Sequence, residues 1–341
     1  DPNSNVTSTA KDVWERVILV TPPTGPTVGY TYDELNRMLT ATRAGNVTEI
    51  FYDIAGRKIS MDDPDMGSWS YAYDALGNLT QQTDAKNQVI CLFYDNLNRL
   101  NGKTYPTNGS CGTPFNFAME FNYDEGINGL GRRTSMEDES GSTSWSYDVK
   151  GRVVSENKVI SGQSFSTSWT YNSADLPITM TYPDNEILTY SYNTRMLLNS
   201  VSSSLGGTAY VDSSDYDSTG RLTERILGNN LTQTYGYYDW DEQFNNIGQG
   251  GRLETMAVGS LQSLNYSYDK NGNILNINDA ITSEVQTFGY DTLNRLTSAG
   301  VTNGLAPYSE SYSYDSITGN LASKNGINYS YNDSSHVHAV T

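Results

Sequence analysis

Between Ser68 and Tyr73, aromatic and small positions alternate: Trp69, Tyr71 and Tyr73 against Ser68, Ser70 and Ala72. A period of two places the rings on one face of a β-strand. Asp74-Ala75-Leu76-Gly77-Asn78 interrupts the pattern, and Leu79-Thr80-Gln81-Gln82-Thr83 reads as a second strand. The segment predicts a β-hairpin closed by a short loop. Breaker clusters such as Ala44-Gly45-Asn46, Ala85-Lys86-Asn87, Ser140-Gly141, Pro183-Asp184-Asn185 and Lys324-Asn325-Gly326 predict a second class of turn, between hairpins. Strand and turn alternate with no helical stretch between them. Over Lys11 to Val20 the pattern suits a short helix as well as a strand.

The hairpin recurs. A Tyr-Asp or Tyr-Asn pair begins at Tyr32, Tyr52, Tyr73, Tyr94, Tyr123, Tyr147, Tyr171, Tyr192, Tyr216, Tyr238, Tyr268, Tyr290, Tyr314 and Tyr331, mostly about 20–24 residues apart. That period suits one two-stranded unit and is too short for a domain. Four residues after the Tyr stand Asn36, Gly56, Gly77, Asn98, Gly151, Asp175, Gly220, Gly272 and Asn294, with Gly319 one residue later. A type I turn closed by a G1 bulge needs one residue at positive φ there, which Gly takes freely and Asn or Asp tolerates. The Asp after the Tyr can accept hydrogen bonds from the N–H groups of its own turn. Tyr32, Asp33, Tyr73, Asp74, Gly77, Tyr147, Asp148, Gly151, Tyr216, Asp217, Gly220, Tyr290, Asp291 and Asn294 therefore form a structural motif, its carboxylates turn caps and not catalytic acids. Ten repeats carry an aromatic residue two positions before the Tyr, among them Tyr30, Phe121, Trp145 and Trp169. Stacked hairpins would align these as aromatic ladders. A carbohydrate-binding stripe is the sharper reading of the same residues.

The run Tyr-Asp-x-x-Gly/Asn-Arg/Asn-Leu resembles the signature of YD repeats, also called RHS repeats. It stands as Tyr32-Asp33-Glu34-Leu35-Asn36-Arg37-Met38, as Tyr73 to Leu79, as Tyr216 to Leu222 and as Tyr290 to Leu296. The resemblance covers about Gly29 to Thr341 and leaves residues 1–28 as a lead-in segment. His336-Val337-His338 resembles the stretch that leads into the RHS-associated core domain of bacterial members. The resemblance implies an all-β fold, a spiral of tandem antiparallel hairpins forming a β-shell, truncated before that core. It also implies a non-catalytic wall, with the protein's own C-terminal effector part or neighbouring subunits as partners, secreted or on a bacterial cell surface. An extracellular filament- or sheath-forming protein for adhesion or carbohydrate contact is the alternative. Three repeats depart from the pattern. Tyr123 and Tyr238 are followed by expanded turns, whose loops near residues 124–130 and 239–250 are candidate contact sites, and Tyr192-Asn193-Thr194-Arg195-Met196 lacks a residue suited to positive φ.

Composition narrows the function. The formal net charge is −18, with no basic stripe, which speaks against nucleic acid. No apolar run approaches a membrane span. A bridge between Cys91 and Cys111, the two cysteines, would pin the loop Pro106 to Pro114 to the sheet and imply an oxidising exterior; two free thiols in a cytoplasmic protein are the alternative. His336 and His338 could share a metal only with ligands the sequence does not supply. Asp269-Lys270-Asn271-Gly272-Asn273 has the oxygen spacing of half a calcium loop, but the hairpin turn demands the same residues, and the turn likewise explains Asp62, Asp63 and Asp65. The expectation is no catalytic residue, no metal and no cofactor.

Overall fold

The computed structural model describes residues 1–112, 116–207, 209–241, 243–244, 247–304, 307–333 and 336–341. Among the described residues it contains 31 strands and no helix. The chain divides into two compact units, residues 70–231 and residues 1–69 with 232–341.

Within residues 70–231 each strand pairs antiparallel with the next. Leu79–Thr83 pairs with Val89–Tyr94, which pairs with Leu100–Thr104, and the order runs on to Ala209–Tyr216 and Leu222–Leu227. In the other unit the same succession holds from Ser8–Lys11 to Lys58–Asp63 and from Thr232–Tyr237 to Ile327–Asn328, except that Thr232–Tyr237 pairs with Leu253–Val258 and the short strands Gln243–Phe244 and Ile247–Gly248 between them pair only with each other. The hairpin inside residues 1–28 is a strand pair, Ser8–Lys11 with Val17–Thr21. This settles Lys11 to Val20 as β-structure. The turn between them is built on Asp12 and Arg16, although Lys11 stands where other repeats have Tyr.

The strands alternate as the pattern requires. In Asn46–Tyr52 and Gly67–Tyr73 every second residue is half-buried and its neighbour exposed. Nearly every hairpin shows a register shift just before its motif Tyr, as between Ala72 and Tyr73 or Gly289 and Tyr290, the mark of a bulge.

Few side chains are fully buried. One small core forms where the segment after Leu100–Thr104 folds back over the sheet: Val89 is 7% and Cys91 0% exposed. Phe117 lies there against Phe93, ring centroids 5.3 Å apart. Gly102 makes the contact feasible, because a Cβ at that position would sit 2.3 Å from the Phe117 ring. Cys111 joins Cys91 in a disulfide across 20 residues, Cα atoms 5.5 Å apart.

Candidate functional site

The repeated Tyr-Asp turn concentrates most of the side-chain hydrogen bonding. In the Tyr290 repeat, Asp291 N–H donates to Arg295 O at 2.9 Å and Asn294 N–H to Asp291 O at 3.0 Å. The two oxygens of Asp291 divide the remaining work. Oδ1 accepts from the N–H groups of Leu293 at 2.8 Å and Arg295 at 2.9 Å, while Oδ2 accepts from Arg295 Nε at 2.7 Å. Asp33, Asp148 and Asp217 repeat this set with Arg37, Arg152 and Arg221. Asp74 does so with Asn78, whose Nδ2 replaces the guanidinium at 2.8 Å.

The residue four after the Tyr takes positive φ, from 60° at Asn294 and 65° at Asn36 to 84° at Gly151, 91° at Gly77 and Gly220 and 93° at Gly272. Met196 does the same at 62°. The repeat that lacked a suitable residue thus forms the turn regardless, with a side chain that disfavours it.

Two further contacts join neighbouring repeats, although Tyr238 donates instead to Tyr266 O of the following repeat at 2.7 Å. The motif Tyr hydroxyl donates to a backbone carbonyl of the preceding repeat: Tyr52 to Met38 O at 2.9 Å, Tyr147 to Arg133 O at 2.5 Å, Tyr216 to Leu198 O at 2.6 Å and Tyr290 to Ile274 O at 3.0 Å. Tyr32 reaches Val17 O at 2.8 Å in the same way, so the Asp12 turn serves as a repeat. In the other direction the arginine reaches forward. Arg37 Nη1 donates to Asp53 O at 2.9 Å, and its Cζ lies 5.1 Å from the Tyr52 ring centroid. Arg152 does likewise to Asn172 O at 3.0 Å and over Tyr171 at 4.6 Å, and Arg295 lies 4.2 Å over Tyr314. What faces these rings is a guanidinium from the previous repeat, a cation–π contact rather than a ring-on-ring ladder. Sequence reading found the turn but missed this role of the arginine. The available signal was the recurrence of Arg five after the Tyr.

The electrostatics follow. The Arg37 backbone N–H, opposed by partial desolvation and helped by the Arg37 side chain, holds the Asp33 carboxyl below the usual range. At Asp148 and Asp217 desolvation acts upward but the hydrogen bonds of Arg152, and of Thr219 and Arg221, win, so both are lowered. In the expanded Tyr123 turn the partner changes. Asp124 is paired bidentately by Arg99 of the preceding repeat, at 3.0 and 2.7 Å, and is lowered chiefly by it. Arg132 instead donates to Asn128 O and Leu130 O. In the Tyr238 repeat the chain closes with Tyr238 N–H on Arg252 O at 3.0 Å; part of the 239–250 loop lies outside the described residues.

The other candidates are occupied by similar bonds. Asp269 accepts from Asn273 and from Asn3 Nδ2 at 2.9 Å. Asp63 accepts from Thr48 Oγ1 and two backbone N–H groups. His336 Nδ1 meets Asp333 at 2.9 Å, while His338 N–H donates to Asp65 at 2.9 Å. Among the described residues no group of three or more His, Cys, Asp or Glu is placed to hold a metal ion, and no helix is long and apolar enough to cross a membrane.

The family model "RHS Repeat" matches residues 45–89, 73–110 and 268–306. The backbone is similar to the Photorhabdus luminescens Tc holotoxin pore structure with a TccC3 mutation: TM-score 0.77, 18% identity, 93% of this chain and 18% of that one. The chain carries RHS repeats over residues 45–110 and 268–306. The crystal structure of TcdB2-TccC3 without its hypervariable C-terminal region matches all of the RHS-repeat chain and 23% of its own length, with TM-score 0.69 and 16% identity. The TcdB2-TccC3-Cdc42 structure matches 96% of it, over 22% of its own length, with TM-score 0.66 and 17% identity. The chain thus spans about a fifth of the length of these structures, and at such identities the likeness is one of fold: an all-β RHS shell. Comparison with curated proteins gives no match.

Proposed function

We propose that this chain is a segment of a non-catalytic β-shell wall in a secreted or surface-exposed bacterial RHS protein, and that the wall encloses the protein's own C-terminal effector part. The observation that carries the reading is where the motif's chemistry goes. Tyr hydroxyls, Asp carboxylates and Arg guanidiniums, the groups a hydrolase or a sugar-binding face would present, bond to backbone and to one another, repeat after repeat. A side chain whose donors and acceptors are so engaged holds geometry and has little left for substrate. The carbohydrate reading is therefore not carried forward. The Cys91–Cys111 bridge suits an oxidising exterior.

Protease protection tests the enclosure. The full-length protein is purified, treated with protease under native conditions, and its C-terminal part followed by mass spectrometry. Protection that vanishes when the wall is opened supports the proposal. A C-terminal part cleaved as fast as a free peptide, or a density map of the whole protein with no enclosed volume, would sink it.

A further inference from the structure

On the sheet face opposite the motif Tyr, the repeats carry mostly short polar side chains. Three residues before the Tyr stand Ser70, Glu120, Ser144, Ser168, Thr189 and Ser311, among others. In the Tyr94 repeat Cys91 takes that place, with Val89 and Phe93 beside it on the same face. An apolar row on a polar face calls for a cover. The segment after Leu100–Thr104 supplies it. Gly109 passes over Val89, whose Cγ2 would lie 3.9 Å from a Cβ at that glycine, and Cys111 is bonded to Cys91. Further along, Phe117 rests on Phe93.

Little besides the disulfide holds this cover down over Val89 and Cys91. Pro106-Thr107-Asn108-Gly109-Ser110-Cys111-Gly112 offers only Pro106 and Cys111 as apolar side chains. Its hydrogen bonds are local: Gly109 N–H donates to Pro106 O at 3.4 Å, and Ser110 N–H to Asn108 Oδ1 at 3.1 Å. Among the described residues, no hydrogen bond ties residues 106–112 to a strand. Ordering the segment costs conformational entropy that neither apolar burial nor strand pairing offsets. The Cys91–Cys111 bond supplies the difference by keeping the segment close to the sheet.

We propose that the Cys91–Cys111 bridge is a redox clasp. A small thiol of the glutathione class opens it, residues 106–112 leave the sheet, and Val89 and Cys91 are uncovered. Cys91 is fully buried and Cys111 half-buried, so attack falls on Cys111. The attacking thiolate bonds to Cys111 Sγ, the S–S bond of the bridge breaks, and Cys91 leaves as a thiolate and takes a proton. A second thiol displaces the first from Cys111 as its disulfide. Two small thiols are thereby oxidised to one disulfide, and the bridge is reduced to two cysteine thiols. The clasp stays shut in an oxidising exterior and opens where thiols are abundant. It acts at one loop and does not depend on what the sheet encloses.

The whole protein, its bridge intact, is incubated with or without millimolar glutathione under native conditions and then given a broad-specificity protease or iodoacetamide. Peptide mapping by mass spectrometry should show cleavage within residues 106–112 rising about tenfold or more with the thiol, because proteolysis follows the population of the open segment. Cleavage elsewhere should stay unchanged, and Cys91 should be alkylated only when the thiol is present. Cys111→Ser removes the clasp without touching the buried strand, and this variant should be cut at the fast rate with or without thiol. The wild-type arms decide without the variant. A folded protein whose bridge resists glutathione, a reduced protein that is cut no faster and is unreactive at Cys91, or cleavage spread over all of residues 70–231 overturns the proposal. So does a Cys111→Ser variant as resistant as the oxidised wild type.

Discussion

The Tyr290 repeat and the Tyr192 repeat fold the same turn with different chemistry. In the first, Asp291 pairs with Arg295. In the second, Asn193 occupies the carboxylate's place and Leu197 that of the arginine. Yet Asn193 N–H donates to Leu197 O at 2.9 Å, and its Oδ1 accepts from the N–H groups of Arg195 at 2.9 Å and Leu197 at 3.1 Å. The Tyr171 repeat, with Asn172 and Leu176, is a second neutral case. One side-chain oxygen and two backbone N–H groups therefore suffice to shape the turn. The second oxygen and the guanidinium add something separable, the reach into the next repeat. Arg195 recovers part of it from a different position, donating to Asp217 O at 2.7 Å.

Acid should separate the two classes most strongly. Asp33, Asp53, Asp95, Asp148, Asp217 and Asp291 all have lowered carboxyl pKa values in the folded chain. A group whose folded pKa is depressed gives stability that is present above its unfolded value, about 3.9 for Asp, and lost as pH falls through the folded value. Stability should thus be flat near neutrality and decline below about pH 4. Hydrogen exchange should show the Arg37, Arg152 and Arg295 turn amides losing protection there before those of Leu176 and Leu197. Simultaneous loss at both classes would mean that ionisation does not set the difference.

Next in size is a substitution that converts one class into the other. Asp291→Asn keeps the oxygen that shapes the turn and removes the ion pair, whereas Asp291→Ala removes both. Each hydrogen bond to a charged group is worth roughly 1.5–3 kcal/mol before losses elsewhere, so Asp291→Ala should cost about 2 kcal/mol and Asp291→Asn no more than about half of that. Urea denaturation of the two variants decides. Equal costs would show that the arginine contact, not the turn oxygen, dominates.

Much of this was legible in the sequence because hairpin turns are local. Tyr, Asp and the positive-φ residue lie within five positions, so spacing alone exposes Asp33, Asp74 and Gly77, and the period exposes the array. What escaped depends on contacts between repeats or on exceptions to residue preference. The forward reach of Arg37 to Asp53 O involves residues 16 apart, and that of Arg195 to Asp217 O residues 22 apart. Arg99 serves Asp124 because, in the expanded turn, the Arg132 side chain is taken by Asn128 O and Leu130 O. The Asp12–Arg16 turn was hidden by the missing Tyr. Phe117 over Gly102 could not be inferred, since nothing in a long loop's sequence says which strand it will cross.

The smallest expected effect concerns the neutral repeat itself. Met196 adopts φ of 62°, where Asn36, in the equivalent place, adopts 65°. A left-handed conformation costs an ordinary L-residue roughly 1–2 kcal/mol, and Asn escapes much of this. Met196 is 60% exposed, so little apolar burial offsets the strain. Its backbone N–H donates to Asn193 O at 2.9 Å, a bond that any residue retains. Met196→Asn should therefore stabilise the chain by about 1 kcal/mol in urea denaturation, and Asn36→Met should destabilise it by a similar amount. Asn36 also accepts from Arg16 at 3.1 Å, so the loss should be the larger of the two changes. If Met196→Asn is neutral while Asn36→Met is costly, backbone strain is negligible here and the preference for Asn in the charged repeats comes from the arginine of the preceding one.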